Sequence, residues 1–349
     1  MQLDSSEPRP TSPSESFNRT FEKILGSRPP TVEGPLKERW NQTVGELTEL
    51  PSLNLDKSQK ERHRIYCLLL MSLVDFYWNP LKRGRQGKYP LNDQPGPQGG
   101  PFKEGDYQGH NIAAIAVDAH GKIIDFEFNH NALFDSSAEH AESRLVRRVY
   151  SLAHVSDSWS PLSLFSAPIT PSKYVNLSDV TIYTSLESCT QCAGTMALAQ
   201  IREVVYLQTN PGMFWIGRIL RNLTVEALRA PRPIAGAEIN FPYFSALDEA
   251  YSLFARSLRQ DEPFFISCDG KVDATPSTTS FLCTSRAREI YRQASSEFQG
   301  RAQSIDLAYP NSKPAGGGDE TLTNADVMTE ALDFFRYAIT RGRRGTPHR

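Results

Sequence analysis

Hydrophobic positions along this chain fall into runs with two different periods. Residues 60–81 carry ERHRIYCLLLMSLVDFYWNPL, apolar on nearly every side and ending at Asn79-Pro80. That predicts a buried helix stopped by proline. Residues 111–117 (NIAAIAV) and 122–129 (KIIDFEFN) read as two strands, and Asp118-Ala119-His120-Gly121 supplies the turn of a hairpin. Ser136, with Glu139 three residues later, fits a capping box that opens a helix reaching about residue 152. Residues 180–185 (VTIYTS) and 203–208 (EVVYLQ) are two more strands, with helices expected at 188–201 and 216–229. Further helices are expected near 246–259, 280–297 and 325–341. The order helix, hairpin, helix, strand, helix, strand, helix implies an α/β fold of three layers, with a mixed central sheet covered by helices on both faces.

The polar stretches divide the chain. Residues 1–56 are rich in Pro, Ser and charge and read as a flexible extension, with one helix around 17–25. A catalytic-size domain is expected over 57–260, interrupted by Gly/Pro-rich and polar insertions at 82–109 and 155–176. Residues 261–349 read as a C-terminal helical extension, with a glycine-rich gap at 315–318 and a loose basic tail. The 38 basic and 40 acidic residues nearly cancel, which argues against an obligate electrostatic nucleic-acid binder. No apolar run approaches a membrane span, and the polar N-terminus does not read as a secretory signal. Five cysteines, an odd number in a long chain, favour a reducing compartment, so a cytoplasmic setting is expected, with the nucleus as the alternative. The four glycosylation sequons therefore carry no weight.

The chemistry concentrates in His140-Ala141-Glu142 and Cys189-Thr190-Gln191-Cys192. Two cysteines three apart at a helix start share one face, and the helix N-terminus favours their thiolate form. With His140 they make three ligands for a tetrahedral zinc ion, which leaves the fourth position to water. Glu142 is placed to move protons for that water. Cys-x-x-Cys alone also fits two ordinary buried cysteines or a redox pair. Neither of those accounts for His140 and Glu142.

At these residues the sequence resembles the cytidine/deoxycytidylate deaminase superfamily, whose signature is H-x-E followed by P-C-x-x-C. Residues 185–196 (SLESCTQCAGTM) and 201–206 (IREVVY) look most like its tRNA adenosine deaminase and guanine deaminase branch. The resemblance covers about residues 105–215 and the helix at 60–81. It implies a cytidine-deaminase-like fold, zinc as cofactor on His140, Cys189 and Cys192, and Glu142 as the catalytic proton shuttle. It also implies substrate contacts at Asn129, Ala141 and Ser188, with Asn131 the alternative to Asn129 if the adjoining loop aligns differently. A homodimer or heterodimer is implied as well. The family proline is Ser188 here, and its hydroxyl is expected to cap the following helix. The long interval between His140 and Cys189 reflects the insertion at 155–176.

Three functions follow. The first is hydrolytic deamination of a small nucleobase, nucleoside or nucleotide, the second deamination of tRNA adenosine (or a partner subunit of such an enzyme), and the third a catalytically silent zinc scaffold. The RNA reading calls for a basic surface around the site, with Arg202, Arg218 and Arg221 as candidates. Elsewhere, Phe214 and Trp215 read as core packing, although pocket walls form there too. Arg144, Arg147 and Arg148 read as a solvated helix face, His110, His120 and His130 as solvated, and Cys67, Cys268 and Cys283 as core. Ser185 and Glu187 support the strand end beside the metal.

Overall fold

A computed structural model describes residues 39, 42–78, 87–88, 109–131, 134, 136–154, 177–213, 215–224, 229–258, 265–267, 272–273, 277–304, 306–315 and 317–341. Its helices are α1 (Val44–Leu47), α2 (Lys57–Phe76), α3 (Ala141–His154), α4 (Thr190–Leu198), α5 (Ile216–Leu223), α6 (Pro242–Leu258), α7 (Thr278–Phe281), α8 (Ser285–Ser304) and α9 (Asn324–Arg341). Its strands are β1 (Gly87–Lys88), β2 (Ala113–Val117), β3 (Ile123–Phe128), β4 (Thr181–Thr184), β5 (Glu203–Tyr206), β6 (Arg232–Ala235), β7 (Phe265–Ser267) and β8 (Val272–Asp273).

The central sheet runs in the order β3-β2-β4-β5-β6. β2 pairs antiparallel with both β3 and β4, whereas β4, β5 and β6 are mutually parallel. This is the mixed α/β sheet that the alternation of elements predicts. β6 was not anticipated: its sequence, Arg-Pro-Ile-Ala, contains Pro233, which is tolerated because β6 is an edge strand. A small antiparallel sheet, β1-β7-β8, was also unforeseen, since two- and three-residue strands carry no readable period.

α2 explains its own composition. Asp56 and Gln59 form a reciprocal capping box at its start. From Ile65 to Val74 every side chain is buried, because the helix lies between the sheet and the pair α8 and α9. A helix apolar all round is a helix covered all round. It stops at Phe76, before Asn79-Pro80, which fall outside the described residues. Tyr183 of β4 packs on Tyr66, while Phe126 of β3 packs on Phe334 of α9. α3 covers the opposite face, and α4 packs against α3. One continuous core runs from Ile65 to Ala338, and the C-terminal helices belong to it.

Other expectations are revised. Helix α3 begins at Ala141, not at Ser136: the Ser136 hydroxyl accepts from Ala138 N–H in a preceding turn, so the box caps that turn instead. The arginines of α3 are not a solvated face. Arg144 and Arg148 are buried against Glu127 and Asp125 of β3, Arg144 also reaches Glu139, and only Arg147 stands in solvent. Phe126 and Phe128 point to α2, so the alternate positions Asp125 and Glu127 necessarily meet α3. His130 is buried as well, and Trp215 is about half exposed. Cys67 and Cys283 are buried as expected. The expected helix at 17–25, the insertion at 155–176, Phe214 and Cys268 lie outside the described residues.

Candidate metal centre and proton-transfer site

Two segments meet at the carboxyl end of β4. The turn after β3 delivers His140 at the start of α3, and the loop after β4 delivers Cys189 and Cys192 at the start of α4. Asn129, buried at the end of β3, fixes the first of these: its Oδ1 accepts from Ala141 N–H at 2.7 Å. It thereby satisfies one of the free donors at the N-terminus of α3. On the other side Gln191 Nε2 donates to Ala138 O at 2.8 Å, tying α4 to the turn before α3.

His140 Nδ1 lies 3.3 Å from Cys189 Sγ and 3.6 Å from Cys192 Sγ. One nitrogen and two sulfurs within 4.8 Å of one another form a metal-ligand cluster among the described residues. Ligands at about 2.0 and 2.3 Å from one tetrahedral zinc stand about 3.6 Å apart, which matches the spacing seen. The donor set therefore fits zinc. Hydrogen bonding from Cys192, and then from His140, holds the Cys189 thiol down at about 4, against the opposing effect of burial. Hydrogen bonding with Cys189, and then burial, raises the Cys192 thiol. Hydrogen bonding with Cys189 raises His140.

Glu142 is buried in the first turn of α3. Its Oε1 accepts from Thr184 Oγ1 and from Ser188 Oγ, each at 3.1 Å. Its Oε2 accepts from Cys192 Sγ at 3.4 Å. Burial raises its pKa. Sequence reasoning missed Thr184 altogether. Its signal is period two along β4: Tyr183 faces α2, so Thr184 faces α3. Ser188 had been expected to cap α4, but Cys189 holds the N-cap position and the Ser188 hydroxyl is given to Glu142 instead. Ser185 Oγ accepts from Ala113 N–H, and Glu187 Oε2 from Asn210 N–H, so both brace the strand ends. Burial pushes Glu187 up to about 6.

Of the three candidate arginines, Arg218 bears on Glu187 beside the site. Arg202 opens β5 at the far end of the sheet and pairs with Glu203. Arg218 faces Glu238, and Arg221 donates to Ala230 O.

Residues 102–208 match the family model described as the cytidine and deoxycytidylate deaminase zinc-binding region. The chain carries such a region, and zinc is its cofactor. Among solved structures, a chain from a study of tRNA:A34 deaminases and A-to-I editing is 21% identical, over 37% of this chain and 83% of its own, with a TM-score of 0.27. A guanine deaminase from Bacillus subtilis is 24% identical over 29% of this chain and 52% of its own, with a TM-score of 0.22. The guanine deaminase from Nitrosomonas europaea is 14% identical over 57% of this chain and 88% of its own, with a TM-score of 0.27. No curated protein sequence matches this chain.

Proposed function

We propose that the zinc-binding deaminase region of this chain catalyses hydrolytic removal of an exocyclic amino group from a small nucleobase, nucleoside or nucleotide, releasing ammonia. One observation carries the reading: a buried carboxylate, Glu142, lies against the ligand cluster and is oriented there by two hydroxyl donors. A structural zinc site has no use for such a group, and a silent scaffold has no reason to hold it in place.

His140, Cys189 and Cys192 would hold the zinc. When bound, zinc supplies a water whose pKa is lowered to about 7. Glu142 does the proton work. Thr184 and Ser188 hold Oε1, so Oε2, which faces Cys192, would be the oxygen that takes a proton from the attacking water. It would pass that proton to a ring nitrogen and then carry a second proton, from the newly added hydroxyl, to the departing amine. The overall balance is amine plus water giving carbonyl plus ammonia. Asn129 already accepts from Ala141 through its carbonyl oxygen, and its amide N–H groups are the donors it offers a substrate. The amide N–H groups suit a substrate acceptor such as an exocyclic oxygen or a ring nitrogen. Ser188, with its hydroxyl on Glu142, shapes the same wall. Ala141 has already given its N–H to Asn129, so a substrate contact with that group would compete with the existing bond.

A small substrate is favoured over RNA because, among the described residues, Arg202 lies at the opposite end of the sheet and Arg218 is already faced by Glu238 and Glu187. The test is ammonia release by zinc-assayed protein from cytosine, adenine, guanine, their nucleosides and nucleotides, and unmodified tRNA, with Glu142→Ala as control. Turnover of one small compound, lost in the variant while zinc stays bound, is the expected result. Turnover of tRNA alone selects the RNA reading. Zinc at one per chain with no turnover of any compound sinks the enzyme reading.

A further inference from the structure

A cavity of about 240 Å³ lies at the end of the sheet opposite the metal cluster. It sits where β2 ends and where β4 and β5 begin, and α2 closes it from above. At about 30 Å³ per water this is room for roughly eight waters, or a ligand of comparable heavy-atom count. No step of the proposed deamination uses it.

Its polar wall is built from buried side chains. Arg62 directs Nε to Asn324 Oδ1 at 3.1 Å and Nη2 to the carbonyls of Ser312 and Leu322. Its Nη1 lies toward Gly121, another lining residue, where a Cβ would stand only 3.1 Å away. Gly121 has φ +88°, so glycine is required both by the turn and by the guanidinium. Next to Arg62, His63 Nδ1 meets Tyr183 OH at 2.8 Å, and burial keeps the imidazole neutral. Thr181 Oγ1 accepts from Arg202 and donates to Glu203 Oε1, each at 2.8 Å, which leaves Glu203 Oε2 as a free acceptor on the wall. The facing wall is apolar: Leu55, Val117, Pro314 and Ala315.

Arg62 and Arg202 offer positive charge, Asp118 and Glu203 negative charge, and both signs border one small space. Arg202 and Glu203 already pair with each other, whereas Arg62 donates to two carbonyls and an amide oxygen and has no carboxylate partner among the described residues. Burying an unpaired charge is costly. Tyr66 and Tyr183 are core residues with their hydroxyls engaged, so they give no exposed ring face for stacking a base.

We infer that this cavity is a second ligand site, separate from the metal centre, which takes a free α-amino acid with a small or aliphatic side chain. The carboxylate is placed on Arg62, the ammonium on Glu203, and the side chain on the Leu55 and Pro314 wall.

The full-length protein is titrated calorimetrically with glycine, L-alanine, L-valine and L-leucine up to about 10 mM, a range in which weak metabolite binding is measurable. Isobutyrate and isobutylamine serve as the carboxylate-only and amine-only controls. Saturable binding of at least one amino acid is expected, with the controls at least about tenfold weaker. Ala315 is exposed at the cavity edge, so Ala315→Trp should abolish binding while the melting temperature holds. Glu203→Gln should weaken binding about tenfold or more. Absence of binding by all four amino acids overturns the proposal. So does binding that survives Ala315→Trp, or controls that bind as well as the amino acids.

Discussion

The two ends of the central sheet are built from different chemistry. At the carboxyl end of β4, His140, Cys189, Cys192 and Glu142 are soft or proton-carrying groups, held by hydroxyls and by a backbone amide. At the amino ends of β4 and β5, Arg62, His63, Arg202 and Glu203 are hard charges and a neutral ring, held by one another and by carbonyls. Loops leaving the carboxyl ends of parallel strands can bring distant segments together, and the helix N-termini that follow favour thiolates. The amino ends are tied directly to α2 and α9, where a charged group is part of the packing. Disturbing the first end should therefore remove activity more than stability, and disturbing the second the reverse.

The largest effect is expected from the ligands. Cys192→Ser or His140→Ala should drop bound zinc from one per chain to near zero, with activity lost in parallel, by metal analysis and ammonia release. Glu142→Gln should keep zinc and lower turnover by about 10²- to 10⁴-fold; unchanged turnover would take the proton work away from this residue. On the face of the sheet between the two ends, Arg148→Met removes the buried guanidinium that Asp125 and Glu127 share and should cost about 3–5 kcal/mol in urea unfolding. The double change Asp125→Leu with Arg148→Met should recover much of that.

Smaller effects sharpen the contrast. Asn129→Ala should cost about 1 kcal/mol through the lost acceptor at α3. Asn129→Asp keeps the acceptor but removes the donor, so stability should hold while KM rises; a KM equal to the parent's would make Asn129 purely structural. At the far end, burial lowers the pKa of His63, while Glu203 raises it and Arg202 and Arg62 lower it further. The unfolded chain then binds the proton more readily than the folded one. Stability is therefore full above the unfolded value of about 6.5 and falls as pH drops through the folded value, by at most about 1.4 kcal/mol per pH unit. Unfolding midpoints between pH 7.5 and 5 should fall less in His63→Gln than in the parent. Equal slopes would mean that His63 titrates alike in both states.

Much of this was readable along the chain. The hairpin, β4, β5 and the helices α2, α3, α4, α6, α8 and α9 follow from periods of two and 3.6 in runs long enough to show them. The ligand set followed because zinc chemistry demands particular residue types, and spacing within each short motif is local. The buried arginines were misread. Arg144 and Arg148 are partnered by Asp125 and Glu127, and that pairing exists only once α3 lies on β3. Thr184 and Ser188 likewise acquire meaning only against Glu142, which is 42 and 46 residues away.

The sequence by itself determined the alternation of elements, the side of α2 that had to be covered (all of it), and the residue types that could take a metal. Those are properties of local period and of side-chain chemistry. Only the tertiary structure decided that α8 and α9 complete the cover of α2, that both cysteines and His140 converge at one sheet end, and that opposite charges enclose a cavity at the other. Each of these depends on which distant segments pack together, and local patterns along the chain do not encode that distance.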